Sequence, residues 1–360
     1  MGRITLMILI ALVLAVFAVG CGCGGNDDDV GSTTDDDTDD DSAADDDDTD
    51  LDDDTTASDD DADDDSGGIP PDPAEPGTFA IADASMTYPD PISGKDQNLR
   101  VFFPSSDGST INATDGPRPI IIFGPGFSAP MGIYFSYGRH LASYGYVVVH
   151  RDNTVLSHVG LANTTSAIID WLANQAELPD SLFFGKLDFN RIGASGHSMG
   201  GKISLLTAYY DDRIKASATI DPVDVSPLPT SDYPSVTPEL MPDIHIPTLF
   251  VGSEFGGACA PVDNNYHQYW LYANSPSIEI MIKKSGHITF TDLPDAIIDA
   301  GKIICPTGDG DYDQIKYLTR RYVTAFYEII FNGNNEYEYY LTGEGINQDV
   351  TADLVTTESK

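Results

Sequence analysis

Positive charge is scarce in this sequence. Eighteen Lys and Arg stand against 58 Asp and Glu, a formal net charge of −40. Such an excess repels a phosphate backbone and argues against nucleic-acid binding. Part of the imbalance is local, because residues 22–68 hold 23 Asp and no Lys or Arg. Taking those 23 Asp from 58 leaves 35 acids, and setting Arg3 aside leaves 17 bases, so residues 69–360 remain near −18. Cysteine is also rare, with four in the chain: Cys21, Cys23, Cys259 and Cys305. Only one long apolar run occurs, Ile4–Val19, and it is a little short for a membrane span of about 20 residues. No internal repeat is visible.

What the N-terminus does contain reads as an address. Met1-Gly2-Arg3 is a short basic start, and with the apolar run it predicts an export signal over residues 1–20. Ala18-Val19-Gly20-Cys21 resembles a bacterial lipobox, in which the cysteine is diacylated and becomes the new N-terminus. Ala18 stands where Leu is commoner, and an ordinary signal peptide cleaved nearby is the alternative. The resemblance implies an exported lipoprotein, held at the cell surface or in the periplasm by its lipid alone. After lipidated Cys21, the Asp-rich segment to residue 68 lacks the apolar groups needed to offset ordering entropy and is expected to stay disordered. A neutral flexible chain of that length spans about 40 Å, and self-repulsion lengthens it, so a tether is expected. Its spacing matches no EF-hand loop and lacks the closing Glu, which argues against calcium. In an exported protein, Cys259 and Cys305 are expected to form a disulfide rather than remain two buried thiols. Closing that loop is worth roughly 4 kcal/mol in the chain-entropy model.

Residues 69–360 suit one large domain. Pro70, Pro71, Pro73 and Pro76 mark the entry to it. Strands are predicted at Asn98–Phe103, Pro119–Phe123, Tyr146–His150, Arg191–Ala194, Ala216–Ile220, Thr248–Gly252 and Ser277–Lys283. Helices are predicted near Gly132–Tyr144, Thr164–Gln175, Met199–Tyr210 and Tyr312–Phe331. Pro-Ile-Ile-Ile-Phe is a continuous apolar run of the kind buried on both faces. Strands alternating with helices predict an α/β fold with a mainly parallel central sheet flanked by helices on both faces.

Chemistry is written most plainly at Gly196-His197-Ser198-Met199-Gly200-Gly201. This is Gly-x-Ser-x-Gly between a predicted strand and a predicted helix, the context in which a serine is lifted onto a tight, strained turn. Side chains at Gly196 and Gly200 would collide with that turn. The helix N-terminus beneath Ser198 favours developing negative charge. Two other readings fail. Gly196 to Gly201-Lys202 has phosphate-loop spacing, but Ile203 stands where Ser or Thr must hold magnesium. The glycine spacing is also wrong for a dinucleotide turn. No metal and no cofactor is expected.

A serine nucleophile needs a base. On such a scaffold the chain order is Ser, acid, His. His287, in a Gly-His loop after the last predicted parallel strand, is the expected base, ahead of His245 and His267. Candidates for the acid are Asp221, which ends a strand before Pro222, and Glu254 and Asp263, which follow the next one. Asp221 is favoured, with the task of holding the His287 tautomer. The oxyanion hole needs two backbone N–H groups. One is expected from Met199 and the other from Phe127, in the loop Gly124-Pro125-Gly126-Phe127.

From Pro119 to about His287 the chain resembles the chlorophyllase, platelet-activating-factor acetylhydrolase and polyester-hydrolase (cutinase-like) branch of the α/β-hydrolases. The residues that carry the likeness are Gly124-Pro125-Gly126-Phe127, Leu141-Ala142-Ser143-Tyr144-Gly145-Tyr146, the Ser198 motif, Ile220-Asp221-Pro222-Val223 and Cys259-Ala260-Pro261. The last two look most like chlorophyllase, which implies Asp221 as the acid and no cofactor. Polyester hydrolases place the acid after the next strand, and the matching position here, near Phe255, has no Asp. The expected activity is hydrolysis of an apolar carboxylic ester, small or polymeric, by a monomeric enzyme. The alternatives are a polyester hydrolase and a non-catalytic binding protein on a hydrolase scaffold.

Overall fold

The computed structural model describes residues 68–360 apart from Pro227 and Pro229. The expected export signal, acylated Cys21 and Asp-rich tether lie outside the described residues. Among the described residues nine strands form one sheet: β1 (Ile81–Asp90), β2 (Lys95–Pro104), β3 (Arg118–Gly124), β4 (Val147–Arg151), β5 (Leu187–His197), β6 (Ile214–Ile220), β7 (Thr248–Phe255), β8 (Ser277–Gly286) and β9 (Val355–Ser359). Their spatial order is β1-β2-β4-β3-β5-β6-β7-β8-β9. From β4 through β8 the neighbours run parallel. Antiparallel pairs finish each edge. The expected α/β architecture is therefore the observed one.

Parallel strands need cover on both faces, because their crossovers lay helices on each side. The strand sequences show how the cover is divided. In β3 and β4 every residue is buried. Ile121, Phe123 and Val148 enter one core, packed by α1 (Phe135–Ser143) and α6 (Tyr312–Tyr327). Ile120, Ile122, Val147 and Val149 enter the opposite core, packed by α2 (His158–Ala176). The period-two alternation of a strand has become an alternation between two apolar layers. Burying each such side chain is worth about 1.5–3 kcal/mol. A third cluster joins α2 to α3 (Met199–Tyr210), α4 (Tyr266–Tyr272) and β7, through Leu161, Ile203, Tyr269 and Phe250.

Helix ends follow local chemistry. Ser157 caps α2, its hydroxyl accepting from the Gly160 N–H at 3.0 Å. Gly145, at φ 98°, closes α1, and the N–H groups of Tyr144 and Gly145 satisfy the Leu141 and Ala142 carbonyls. Two expectations need correction. The predicted helix near Gly132–Tyr144 is a 3₁₀ turn, Met131–Tyr134, followed by α1. The predicted Tyr312–Phe331 helix ends at Tyr327 and gives way to a π turn, Glu328–Asn332. The buried Glu328 carboxylate there takes hydrogen bonds from Tyr146, Asn332 and Asn334, contacts that a hydrophobic pattern does not report.

Smaller helices complete the unit: α5 (Asp295–Gly301), α7 (Glu338–Leu341) and α8 (Glu344–Thr351). Cys259 and Cys305 are joined in a disulfide with their Cα atoms 5.4 Å apart. The segment after Cys305 is packed against the site described next. A side-chain carbon on Gly286 would come within 2.6 Å of Thr307 Cα.

Candidate active site

Ser198 sits between β5 and α3 at φ 57°, ψ −122°, a conformation that L residues rarely adopt. The turn is tight because three backbones meet there. A carbon added at Gly196 would lie 2.5 Å from the Gly200 carbonyl carbon, and one at Gly200 would be driven into the Gly124 carbonyl. The motif glycines thus make room for the loop after β3 as well as for the turn itself. Ser198 N–H bonds the Ile220 carbonyl at 3.0 Å, tying the elbow to the end of β6.

Beyond Ile220 the chain turns at Asp221, at φ 42° and fully buried. Its carboxylate accepts from Ser253 N–H at 3.0 Å and Ser253 Oγ at 2.8 Å. His287 Nδ1 lies 2.7 Å from the same carboxylate, and His287 Nε2 lies 2.8 Å from Ser198 Oγ. Burial works to raise the Asp221 carboxyl. The bonds from His287 and Ser253 outweigh it and hold the group below its ordinary value. An ionised carboxylate only accepts, so His287 Nδ1 carries the hydrogen and Nε2 presents a lone pair to Ser198.

The other candidates are engaged elsewhere. Glu254 accepts from the Lys284 N–H at 2.6 Å. Asp263 is exposed on a short turn. His245 is exposed, and His267 faces Glu279 at 2.8 Å. Lys202, which gave the motif its phosphate-loop look, is fully buried with its amine 2.8 Å from Asp224.

Phe127 follows Gly126 in the loop after β3. A carbon on Gly126 would lie 3.4 Å from Ser198 Cβ, so this loop runs directly beside the serine. Met199 opens α3, where the first N–H groups have no partner within the helix. Neither the Phe127 nor the Met199 amide donates to another group among the described residues. Asn153 steadies the loop by donating to the Gly126 carbonyl at 2.8 Å.

Three residues with a place in this arrangement have no mark of their own in the sequence reading. Ser253 braces Asp221 from the adjacent strand. His197 is the variable residue of the Gly-x-Ser-x-Gly motif. Tyr134 bonds the His197 ring at 3.0 Å. His197 could have been found from its position alone, whereas Ser253 and Tyr134 become visible only once strands are paired.

A mostly parallel sheet, a serine on a strand–turn–helix elbow, and Ser198, Asp221 and His287 meeting in that chain order define an α/β-hydrolase. The chain belongs to the chlorophyllase family, whose model matches residues 86–354. Bis(hydroxyethyl) terephthalate hydrolase of Streptomyces coelicolor is 27% identical over 203 residues, 56% of this chain and 56% of that protein. Chlorophyllase-1, chloroplastic, of Citrus unshiu is 25% identical over 241 residues, 62% of this chain and 72% of that protein. Cutinase est1 of Thermobifida alba is 28% identical over 159 residues, covering 44% and 48%. The chain thus spans little more than half the length of the Streptomyces relative.

Proposed function

We propose that this protein is a serine carboxylic-ester hydrolase acting on apolar esters. The observation that carries the reading is the unbroken contact from Asp221 through His287 to Ser198, at 2.7 and 2.8 Å. Similarity to proteins named as chlorophyllase, cutinase and terephthalate-ester hydrolase supports an ester as substrate.

Ser198 Oγ attacks the ester carbonyl while His287 Nε2 takes its proton. Asp221 keeps the imidazole in the required tautomer and stabilises the imidazolium. Negative charge on the tetrahedral oxygen is met by the Phe127 and Met199 amides, each worth about 3 kcal/mol. Collapse releases the alcohol, which takes the proton from His287 and leaves an acyl-Ser198. Water, deprotonated by His287, then repeats the attack and frees the acid. The half-exposed Phe127 ring supplies an apolar wall for the acyl or alcohol portion. Export on a lipidated Cys21 belongs to the same proposal and rests on the N-terminal residues. Cys21→Ser should abolish incorporation of labelled fatty acid, and undiminished labelling would refute that part.

Ser198→Ala tests the central reading. Turnover of a p-nitrophenyl ester should fall on the order of a millionfold with the fold intact. A variant retaining a tenth of wild-type activity would place the chemistry elsewhere.

A further inference from the structure

His197 stands between Gly196 and Ser198, yet the steps above use neither of its nitrogens. The ring is buried, and both nitrogens are engaged. Nε2 lies 2.8 Å from the backbone carbonyl of His287, and Nδ1 lies 3.0 Å from Tyr134 Oη. A carbonyl only accepts, so Nε2 carries the hydrogen. Burial and the neighbouring His287 push His197 down to about 3, so it is neutral at working pH and Nδ1 is bare. Nδ1 therefore accepts from the Tyr134 hydroxyl. Tyr134 is buried too, which pushes its pKa up and keeps that proton in place. Its oxygen in turn faces the Gly126 N–H at 3.4 Å, a long contact on the peptide next to Phe127.

The polarity of each bond is thus settled by the chemistry of its ends. Gly126 N–H donates to Tyr134, Tyr134 donates to His197, and His197 donates to the His287 carbonyl. One end of this chain is the loop that carries the Phe127 amide, and the other is the residue that takes the serine proton. A merely satisfied core histidine would bond to the scaffold. This one bonds to the two loops that have to address a single carbonyl carbon. The His197 and His287 rings are also 4.5 Å apart and inclined by 35°. A neutral ring at that distance adds no charge repulsion when His287 becomes an imidazolium, which a Lys or Arg at this position would do.

We propose that Tyr134 and His197 are a positioning couple that sets the oxyanion loop and the His287 imidazole relative to each other. The proposal rests on the esterase reading, because it presumes the roles of Phe127, Ser198 and His287. Misplacing reacting groups by about 1 Å costs on the order of a hundredfold in rate. The couple therefore acts on turnover rather than on substrate affinity.

The test is a double-mutant cycle on the full chain, read as kcat and KM for a p-nitrophenyl ester, with the folded fraction measured on the same samples. Tyr134→Phe should lower kcat about tenfold with KM within about twofold. His197→Ala should lower kcat about a hundredfold. His197→Gln can still present an N–H toward the His287 carbonyl and should recover part of that loss. Adding Tyr134→Phe to His197→Ala should cost little more, because the chain is already broken. A Tyr134→Phe enzyme with wild-type kcat would overturn the couple. So would losses that multiply in the double variant, or losses that vanish when rates are divided by the folded fraction. Turnover surviving Ser198→Ala would instead overturn the esterase reading and this proposal together.

Discussion

Along β3 and β4 every residue is buried and the backbone is ordinary, whereas the chain leaving the carboxyl ends of the sheet is strained and polar. Ser128, Ser198, Asp221 and Lys284, at φ 55°, 57°, 42° and 57°, all lie in that region, after or near the ends of β3, β5, β6 and β8. Each such residue costs about 1–3 kcal/mol and persists only because its surroundings over-determine it. Ser198 and Asp221 are among the residues proposed to act. The comparison teaches a division of labour. The strand interiors supply apolar burial, and the carboxyl edge uses part of that stability to hold side chains in conformations they would otherwise leave.

If that division is right, substitutions at the edge should cost rate and those in the interior should cost stability. Asp221→Asn should reduce turnover about ten-thousandfold, because an amide donor facing His287 Nδ1 favours the wrong tautomer. Glu254→Gln, on the adjoining strand, should stay near wild type, since its carboxylate serves Lys284 instead. Equal losses in steady-state kcat would erase the distinction between the two acids.

The interior counterpart is Ile121→Ala. Ile121 is fully buried in the layer between the sheet and α6. The change should cost about 2–5 kcal/mol, seen as a Tm lower by several degrees or more. Turnover per folded molecule should hold. A large fall in kcat with no change in Tm would show that the interior shapes the edge directly.

Acid should sharpen the comparison through histidines on both sides of it. Burial pushes His140 down to about 4, and His150, His158 and His197 to about 3. Neither nitrogen of His150 has a partner inside its cage of Phe102, Phe123 and Phe135. In the unfolded chain these rings protonate near about 6.5. Between that value and their folded values the unfolded state binds more protons, so stability falls as pH falls. Tm should be level above neutrality and decline steadily from about pH 6.5 toward about 4. A Tm that does not change across that window would show that the burial is not felt.

The smallest effect is expected outside the described residues. Deleting 24–68 should leave turnover of a small soluble ester nearly unchanged. That segment carries no large apolar side chains to dock except Val30 and Leu51, and charge effects fade within about 8 Å at physiological salt. A severalfold loss in an assay of the purified truncated enzyme would give the acidic segment a part in stability or catalysis.

Legibility in the sequence followed the same boundary. The runs Pro119–Phe123 and Tyr146–His150 announced buried strands because both faces are apolar. β1 and β9 were not predicted, since Ile81–Asp90 alternates exposed and half-buried residues and Val355–Ser359 is short and mostly polar. At the edge, Ser198 and His287 could be read from glycine context, and Asp221 from its strand end and the family likeness. Glu254 and Asp263 fit a similar local pattern, and strand pairing is what separates them from Asp221. Ser253 and Tyr134 could not be read. Their partners Asp221 and His197 lie 32 and 63 positions away, and no local pattern spans that distance.

The brace between β6 and β7 bears on how such an enzyme can change over generations. Ser253 Oγ is 2.8 Å from the Asp221 carboxylate, so β7 already places a side chain against the acid that faces His287 from the end of β6. The acid has two addresses in this architecture, one occupied and one held by a hydroxyl. Transfer between them would need a pair of exchanges, Asp221→Ser and Ser253→Asp. The constellation of reacting atoms is thus tied to the carboxyl edge of the sheet more than to any one position in the chain.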